Sequence, residues 1–319
     1  MKYLLCRPRG GLNDVLCQIV RCINYSKREK RYLLIDLSRE PFLRHFTEMV
    51  TRRDGVKFVS FLHEYEDLKM FDEMDVYPTH LKHKVSSYDS VFTEKDNYVD
   101  KESQLPLSFD FLTSYPHELL VHETCGGGEG SIYFFTYFSL TRALQEEIKI
   151  RSQLLGSYLA VHIRHTDYKT KYKEFIKEIY NELQGKSVLL CTDSIEVDRY
   201  IKSNYAGINW INADTLLDAE NAPLHIKALE KKSNKDILTS TIIDLFLMAY
   251  SEKVVFTKTA NGVRSGFSML ATNLNKNKFL LKVSRQKYVD YLRSRVSRVF
   301  LKFYFFKRKK LQTIHETFQ

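Results

Sequence analysis

The 319-residue sequence predicts an α/β protein made of two parallel-sheet halves followed by a basic amphipathic tail. Three observations carry that prediction. Short apolar runs, the pattern of strands buried on both faces, recur along the chain. Over residues 151–282 they alternate with helix-length stretches, as βαβ units do. The net charge of +10 is confined to one place, because Lys282–Lys310 holds 11 Lys and Arg and a single acid, Asp290. Taking these from the 49 bases and 39 acids leaves 38 of each, so the body of the chain is neutral by formal count. That distribution argues against nucleic acid as a partner of the body.

The length fits one large domain or two of about 150 residues, and a hydrophobic fraction of 44% supplies a core. The cysteines Cys6, Cys17, Cys22, Cys125 and Cys191 are odd in number and scattered, with no CxxC pair. This predicts a reducing compartment, without a disulfide framework or a zinc site. Met1–Cys6 is too short a run for a signal peptide. No apolar run approaches the roughly 20 residues of a spanning helix. The expected location is the cytoplasm.

The first apolar run, Lys2–Cys6, reads as a strand. Arg7-Pro-Arg-Gly-Gly11 follows, and then a stripe of Leu12, Val15, Leu16, Ile19, Val20 and Ile23. The i, i+3, i+4, i+7 spacing is one face of an α-helix. Tyr32–Leu37 is again a buried-strand pattern, so the N-terminus reads as a βαβ unit with a glycine turn after its first strand. Gly10 and Gly11 would let the backbone approach a ligand, and the helix N-terminus would offer it free N–H groups. The same pair would also serve as a plain turn.

Pro41–Glu123 is rich in aromatic and charged residues without clean periodicity, and its acidic clusters, Glu64–Asp67 and Asp72–Asp75, read as a solvated face. Gly126–Gly130 is the strongest break in the chain. An aromatic stretch, Ser131–Phe138, and a helix over Arg142–Leu155 come next. The second half then reads strand Tyr158–Ile163, helix Glu174–Leu183, strand Val188–Cys191, a helix to about Ser203, and strand Ile208–Ile211. It continues as helix Thr239–Glu252, strand Val254–Phe256, helix Ser265–Asn275 and a last strand over Phe279–Val283. The chain therefore reads as two Rossmann-like domains facing across a cleft. Residues 1–150 form the first, residues 151–282 the second, and residues 283–319 the tail.

Tyr158–Asp167 carries the chemistry. Its apolar run breaks into His162, Arg164, His165 and Asp167, and polar groups at the end of a buried strand are costly unless they meet a ligand or one another. In an open α/β sheet that end is where ligands bind. The planar fork of Arg164 matches a phosphate, so the stretch reads as the floor of a diphosphate site; a loop of structural salt bridges is the alternative. Asp193 closes the next strand, where it either meets the ligand or caps a helix. Asp244 lies among apolar neighbours in Thr241–Met248, which requires a buried partner or a ligand. Thr257–Ser268 is a strand-to-helix loop of small and hydroxyl residues with two cations. Its backbone N–H groups, Ser265 and Ser268 can cradle a phosphate and cap the helix together.

These motifs resemble a known family. His162-Ile-Arg164-His165-Thr-Asp167 is similar to the HxRRxD motif of the α1,2-, α1,6- and protein O-fucosyltransferase superfamily. Gly10-Gly11-Leu12-Asn13 resembles its N-terminal glycine turn. Asp244–Tyr250 and Arg264-Ser265-Gly266-Phe267-Ser268 resemble its later donor-binding motifs. The resemblance spans about 260 residues and skips the middle of the first half. It implies a GT-B fold and an inverting, metal-independent glycosyl transfer, with GDP-fucose as co-substrate and no cofactor. It implies that Arg164 holds the β-phosphate, with His162 beside it and His165 and Asp193 nearby. Asp244 would contact the base or ribose, Ser265, Gly266, Phe267 and Ser268 the phosphates, and Gly10, Gly11 and Asn13 would line the cleft from the first domain. The motif's second arginine is His165 here, which leaves the donor's identity open. No Asp-x-Asp pair is present, in keeping with arginine in place of a metal ion. Asp14 and Asp167 are the candidate general bases.

The tail interleaves its bases with aromatic residues from Tyr288 to Phe306. Such a segment describes a helix lying on an anionic membrane surface through residues 283–310, or else a last helix packed back on the protein. The first reading suits a peripheral enzyme on the inner face of the cytoplasmic membrane, acting on a lipid-linked glycan in O-antigen or capsule assembly. Two rivals stand beside it: the same fold with a UDP- or GDP-hexose donor, and a non-catalytic nucleotide- or sugar-binding module.

Overall fold

Each half is built on a parallel sheet whose strands follow from the apolar runs. The computed structural model describes residues 1–63, 68–166, 169–212, 234–258 and 262–281. The Glu64–Asp67 cluster, Asp167 and the basic segment 283–319 lie outside them. In the first half β1 (Tyr3–Cys6) leads through the glycine turn into α1 (Leu12–Glu29) and back to β2 (Tyr32–Ile35). All six apolar residues of the α1 stripe are buried. The stretch that lacks periodicity folds into short pieces: β3 (Val50–Arg52), β4 (Val59–Phe61), β5 (Val76–Tyr77), β6 (Ser90–Thr93) and β7 (Asn97–Asp100), with 3₁₀ turns between them. These strands are short and largely exposed or half-buried, so they lack the apolar run that marks β1 and β2. β8 (Leu119–His122) and β9 (Phe138–Leu140) complete the half, and the sheet runs β4-β2-β1-β8-β5 with every pair parallel. β3 pairs with β9 and β6 with β7, both antiparallel.

The helix α2 (Arg142–Leu155) lies between the two sheets in sequence. The second half contains β10 (Leu159–Ile163), α3 (Tyr172–Leu183), β11 (Ser187–Thr192), α4 (Ile195–Asn204), β12 (Asn209–Ile211), α5 (Asn234–Tyr250), β13 (Val254–Phe256) and α6 (Gly266–Lys276). Its sheet runs β12-β11-β10-β13, again all parallel. Leu159, Val161 and Ile163 of β10 pack with Ile176 of α3 and with Val197 and Ile201 of α4. Alternation along the strand therefore puts Ala160 and His162 on the opposite face. Both sheets lie within one compact unit, Met1–Lys278.

One expected element takes another form among the described residues. Phe279–Leu281, read as the start of a last strand, belongs to a 3₁₀ turn over Lys278–Leu281. The Asn277 N–H still donates to the carbonyls of Asn273 and Leu274 at 3.1 and 3.0 Å, so the chain leaves α6 still coiling. A short apolar run does not tell a strand from such a turn.

Candidate functional site

A cleft of about 480 Å³ is lined by the segments that leave the C-terminal ends of four strands, two from each sheet. β1 supplies Gly10–Asp14, β8 supplies Cys125, Gly127 and Gly128, β10 supplies Arg164 and Thr170, and β13 supplies Thr257 and Val263–Phe267.

The glycine turn is required by space. Gly10 has φ +100°, which L side chains rarely adopt, and a Cβ there would sit 2.6 Å from the Cys125 Sγ. Gly11 caps α1, and its N–H donates to the Asp14 carboxylate at 3.2 Å. A Cβ on Gly127 would collide with that carboxylate and with the Asn13 amide. Asn13 accepts from the Ser131 hydroxyl at 2.6 Å and donates to the Gly128 carbonyl at 3.3 Å. It thereby ties the start of α1 to the glycine-rich loop after β8.

The N-terminus of α6 meets α1 at the cleft. A Cβ on Gly266 would stand 3.1 Å from the Asn13 Cβ and 3.3 Å from its Nδ2. A side chain here would have to push Asn13 back by a few tenths of an ångström. Each helix start carries N–H groups without an intrahelical acceptor and the positive end of its dipole. The Oγ of Ser265, the α6 N-cap residue, is buried without a hydrogen-bond partner among the described residues. Arg164 and Arg264 also line the cleft, with Asp14 as the carboxylate among its lining residues. Burial raises the Asp14 pKa, while the Gly11 N–H and the charge of Arg164 hold it down in part. Two helix dipoles, two guanidinium groups and an orphan hydroxyl converge on this space, and such a set favours an anion with several oxygen atoms.

Gly10, Gly11, Asn13, Asp14, Arg164, Ser265, Gly266 and Phe267, all singled out in the sequence, line the cleft. Five other expected contacts stand elsewhere. His162 is 7% exposed and lies behind Phe267, with ring centroids 5.2 Å apart. Its Nδ1 is 2.6 Å from the Oγ of Ser268, which is fully buried. Burial holds the His162 pKa down to about 4, opposed by Asp193 and assisted by Arg164, so the imidazole is neutral. His165 packs its ring edge-on against Tyr172 at 4.7 Å, and its Nδ1 is 3.2 Å from the Thr170 Oγ1. Asp193 accepts from the His165 N–H at 2.8 Å and from the Thr166 hydroxyl at 2.6 Å. It thus anchors the loop that carries Arg164, and the neighbouring Ser194 caps α4. Asp244 is half-buried on α5, and its charge adds to burial in raising the Cys191 thiol pKa. Asp167 is outside the described residues.

The sequence puts Arg264 in a cation-bearing loop, at the head of a stretch that resembles a donor-binding motif, without assigning it a contact of its own. The structure puts it on the cleft, with its guanidinium 5.8 Å from the Phe256 ring centroid and its backbone bridged to Lys258. Cys125 and Gly127 were also missed, because their place in the cleft depends on the β1–β8 pairing. Among the described residues, no helix is long and apolar enough to cross a membrane.

No protein-family model matches the chain, and no curated protein matches its sequence. Solved structures do match. The NodZ α-1,6-fucosyltransferase co-crystallised with GDP is 15% identical, with a TM-score of 0.55 over 85% of this chain and 92% of that one. The same enzyme soaked with GDP-fucose is 17% identical, with a TM-score of 0.54 over 86% and 93%. NodZ from Bradyrhizobium gives 15% and 0.54 over 85% and 92%. The chain therefore has the fold of this fucosyltransferase, the GT-B arrangement implied by the motifs.

Proposed function

We propose that this chain is an inverting glycosyltransferase that moves fucose from GDP-fucose to a glycan acceptor without a metal ion. The observation that carries the reading is the cleft itself, where Arg164, Arg264 and the first turns of α1 and α6 face one space. The fold of a GDP-fucose-soaked fucosyltransferase supports the same donor.

In this mechanism the acceptor hydroxyl attacks the anomeric carbon on the face opposite the diphosphate. The bond from that carbon to the β-phosphate oxygen breaks, its electron pair leaves on GDP, and the configuration inverts. Negative charge grows on the diphosphate in the transition state. Arg164, Arg264 and the α6 N–H groups, which line the cleft, receive it, and donors fixed in place need little reorganisation. Asp14 accepts the acceptor's proton; its raised pKa suits a base better than that of an exposed carboxylate does. The acceptor enters beside the first half. A lipid-linked glycan of O-antigen or capsule assembly fits an enzyme whose basic tail rests on the inner face of the cytoplasmic membrane.

A thermal-shift titration with GDP, UDP, CMP and ADP in EDTA tests the reading. Binding at a hundredfold excess over Kd adds about 2.7 kcal/mol to the native state. A GDP-selective rise that survives EDTA and disappears in Arg164→Ala is expected. A UDP-selective rise would exclude the GDP-fucose donor, and no rise with any nucleotide would overturn the transferase. Transfer assays should show kcat/KM falling on acidification, with a midpoint above the usual carboxylate range. In Asp14→Asn that limb should be lost together with most of the turnover.

A further inference from the structure

His162 lies at the end of β10, two residues before Arg164, and its side chain points away from the α3–α4 face. Its Nδ1 meets the Ser268 Oγ at 2.6 Å across 106 residues of sequence. Ser268 is the third residue of α6, fully buried. The Phe267 ring covers the imidazole, and the His162 carbonyl accepts from the Thr257 N–H at 3.1 Å. His162 therefore touches strand, loop and helix from beneath the cleft, and none of its described contacts is across the cleft. An imidazole in this position is a poor direct ligand for a phosphate and a good brace between the two elements that hold one.

We infer that His162 and Ser268 form a buried strut that fixes the first turn of α6 against the strand carrying Arg164. His162 is then a positioning residue that acts on the nucleotide through the helix. The strut sets the distance between the Arg164 guanidinium and the N–H groups of Gly266 and Phe267. A diphosphate bridging the two needs that distance held, because charge-assisted hydrogen bonds weaken steeply with misalignment. This inference rests on the nucleotide-binding reading above.

The test is a double-mutant cycle on the full chain, with GDP affinity measured by calorimetry and the Gly266 amide followed by NMR after ¹⁵N-glycine labelling. His162→Asn is the informative variant, because its amide can occupy the place of Nδ1 but lacks the far side of the ring. Ser268→Ala and His162→Ala are each expected to weaken GDP binding about tenfold, as for a lost buried hydrogen bond. The double variant should be no weaker, and both single variants should shift the Gly266 amide. His162→Asn should bind within about threefold of the native chain and leave that amide in place. Additive losses would overturn the strut. So would His162→Asn binding as poorly as His162→Ala with the Gly266 amide unmoved, because the ring itself would then be the ligand. If the native chain bound no GDP, the nucleotide reading would fall. The ligand-free Gly266 shifts would then decide the strut alone, supporting it if both alanine variants move the amide and overturning it if neither does.

Discussion

The two sheets carry similar polar residues at their C-terminal ends and use them in opposite ways. In the first half these groups satisfy one another. The Arg7 guanidinium donates to Asp36 at 2.8 Å with both side chains almost fully buried, and to the Val85 carbonyl at 3.0 Å. Glu123, fully buried, accepts from Arg39 at 2.9 Å and from the Tyr88 hydroxyl at 2.7 Å. In the second half Arg164 and the α6 start line the cleft, and the Ser265 Oγ has no partner among the described residues. An arginine after a buried strand is therefore not in itself a ligand site. Whether it is buried beneath the strand ends, as Arg7 is, or lines the cleft, as Arg164 does, separates a structural from a binding position.

That comparison can be broken most directly by removing one arginine from each end. Arg164→Ala should lower kcat about 10²- to 10³-fold, the loss typical of one preorganised donor at a developing anion, while the melting curve stays near native. Arg7→Ala should do the reverse. It leaves Asp36 buried without its cation, at about 3–5 kcal/mol of stability, with near-native turnover per folded molecule. Equal stability losses in the two variants would erase the distinction between the two strand ends.

Acidification separates the halves from the cleft in another way. His122, the last residue of β8, and His162 in β10 are held by burial to pKa values of about 3 and about 4. Both lie below the unfolded value near 6.5. The unfolded chain therefore binds more protons between these values, and stability falls as pH drops from about 6.5 towards 4. Each full pKa unit corresponds to about 1.4 kcal/mol per group. Chemical denaturation at pH 7 and pH 5 should show the loss, and His122→Gln should remove part of it. A midpoint independent of pH over that window would contradict the buried neutral histidines.

A smaller effect is expected at the glycine turn. Gly10→Ala meets both an unfavourable φ and the Cys125 Sγ, at about 1–3 kcal/mol. It should also weaken GDP, because the turn and the α1 start would shift together. Gly55, which has a positive φ of 77° but nothing within 4 Å of a Cβ, is the control for conformational strain alone. The smallest change is expected at Arg264. Removing this exposed guanidinium should raise the GDP Kd about fivefold at low salt, with the difference shrinking as ionic strength rises. A salt-independent loss would point to a packing role for Arg264.

Much of the architecture was legible because its causes are local. The α1 stripe, the apolar runs of β1, β2, β10 and β11, and the alternation of the second half all express burial at a helical or strand period. The glycine turn and Arg164 were legible for a related reason, since close backbone approach and a phosphate-matching fork belong to single residue types. The 41–123 stretch resisted reading because most of its strands are short and only partly buried, and so carry no apolar run. The last expected strand failed because a run of apolar residues does not state how its backbone is paired.

What the sequence by itself determined is therefore the set of elements and the chemistry available at the strand ends. Only the tertiary structure decided which of those groups face the cleft. It placed His162 on Ser268, His165 on Tyr172 and Thr170, and Asp193 on the loop that carries Arg164, and it brought Arg264 and the glycines after β8 to the cleft wall. The physical reason is that a polar side chain is satisfied by the nearest suitable partner in space. For His162 that partner lies 106 residues along the chain, beyond the reach of any local pattern.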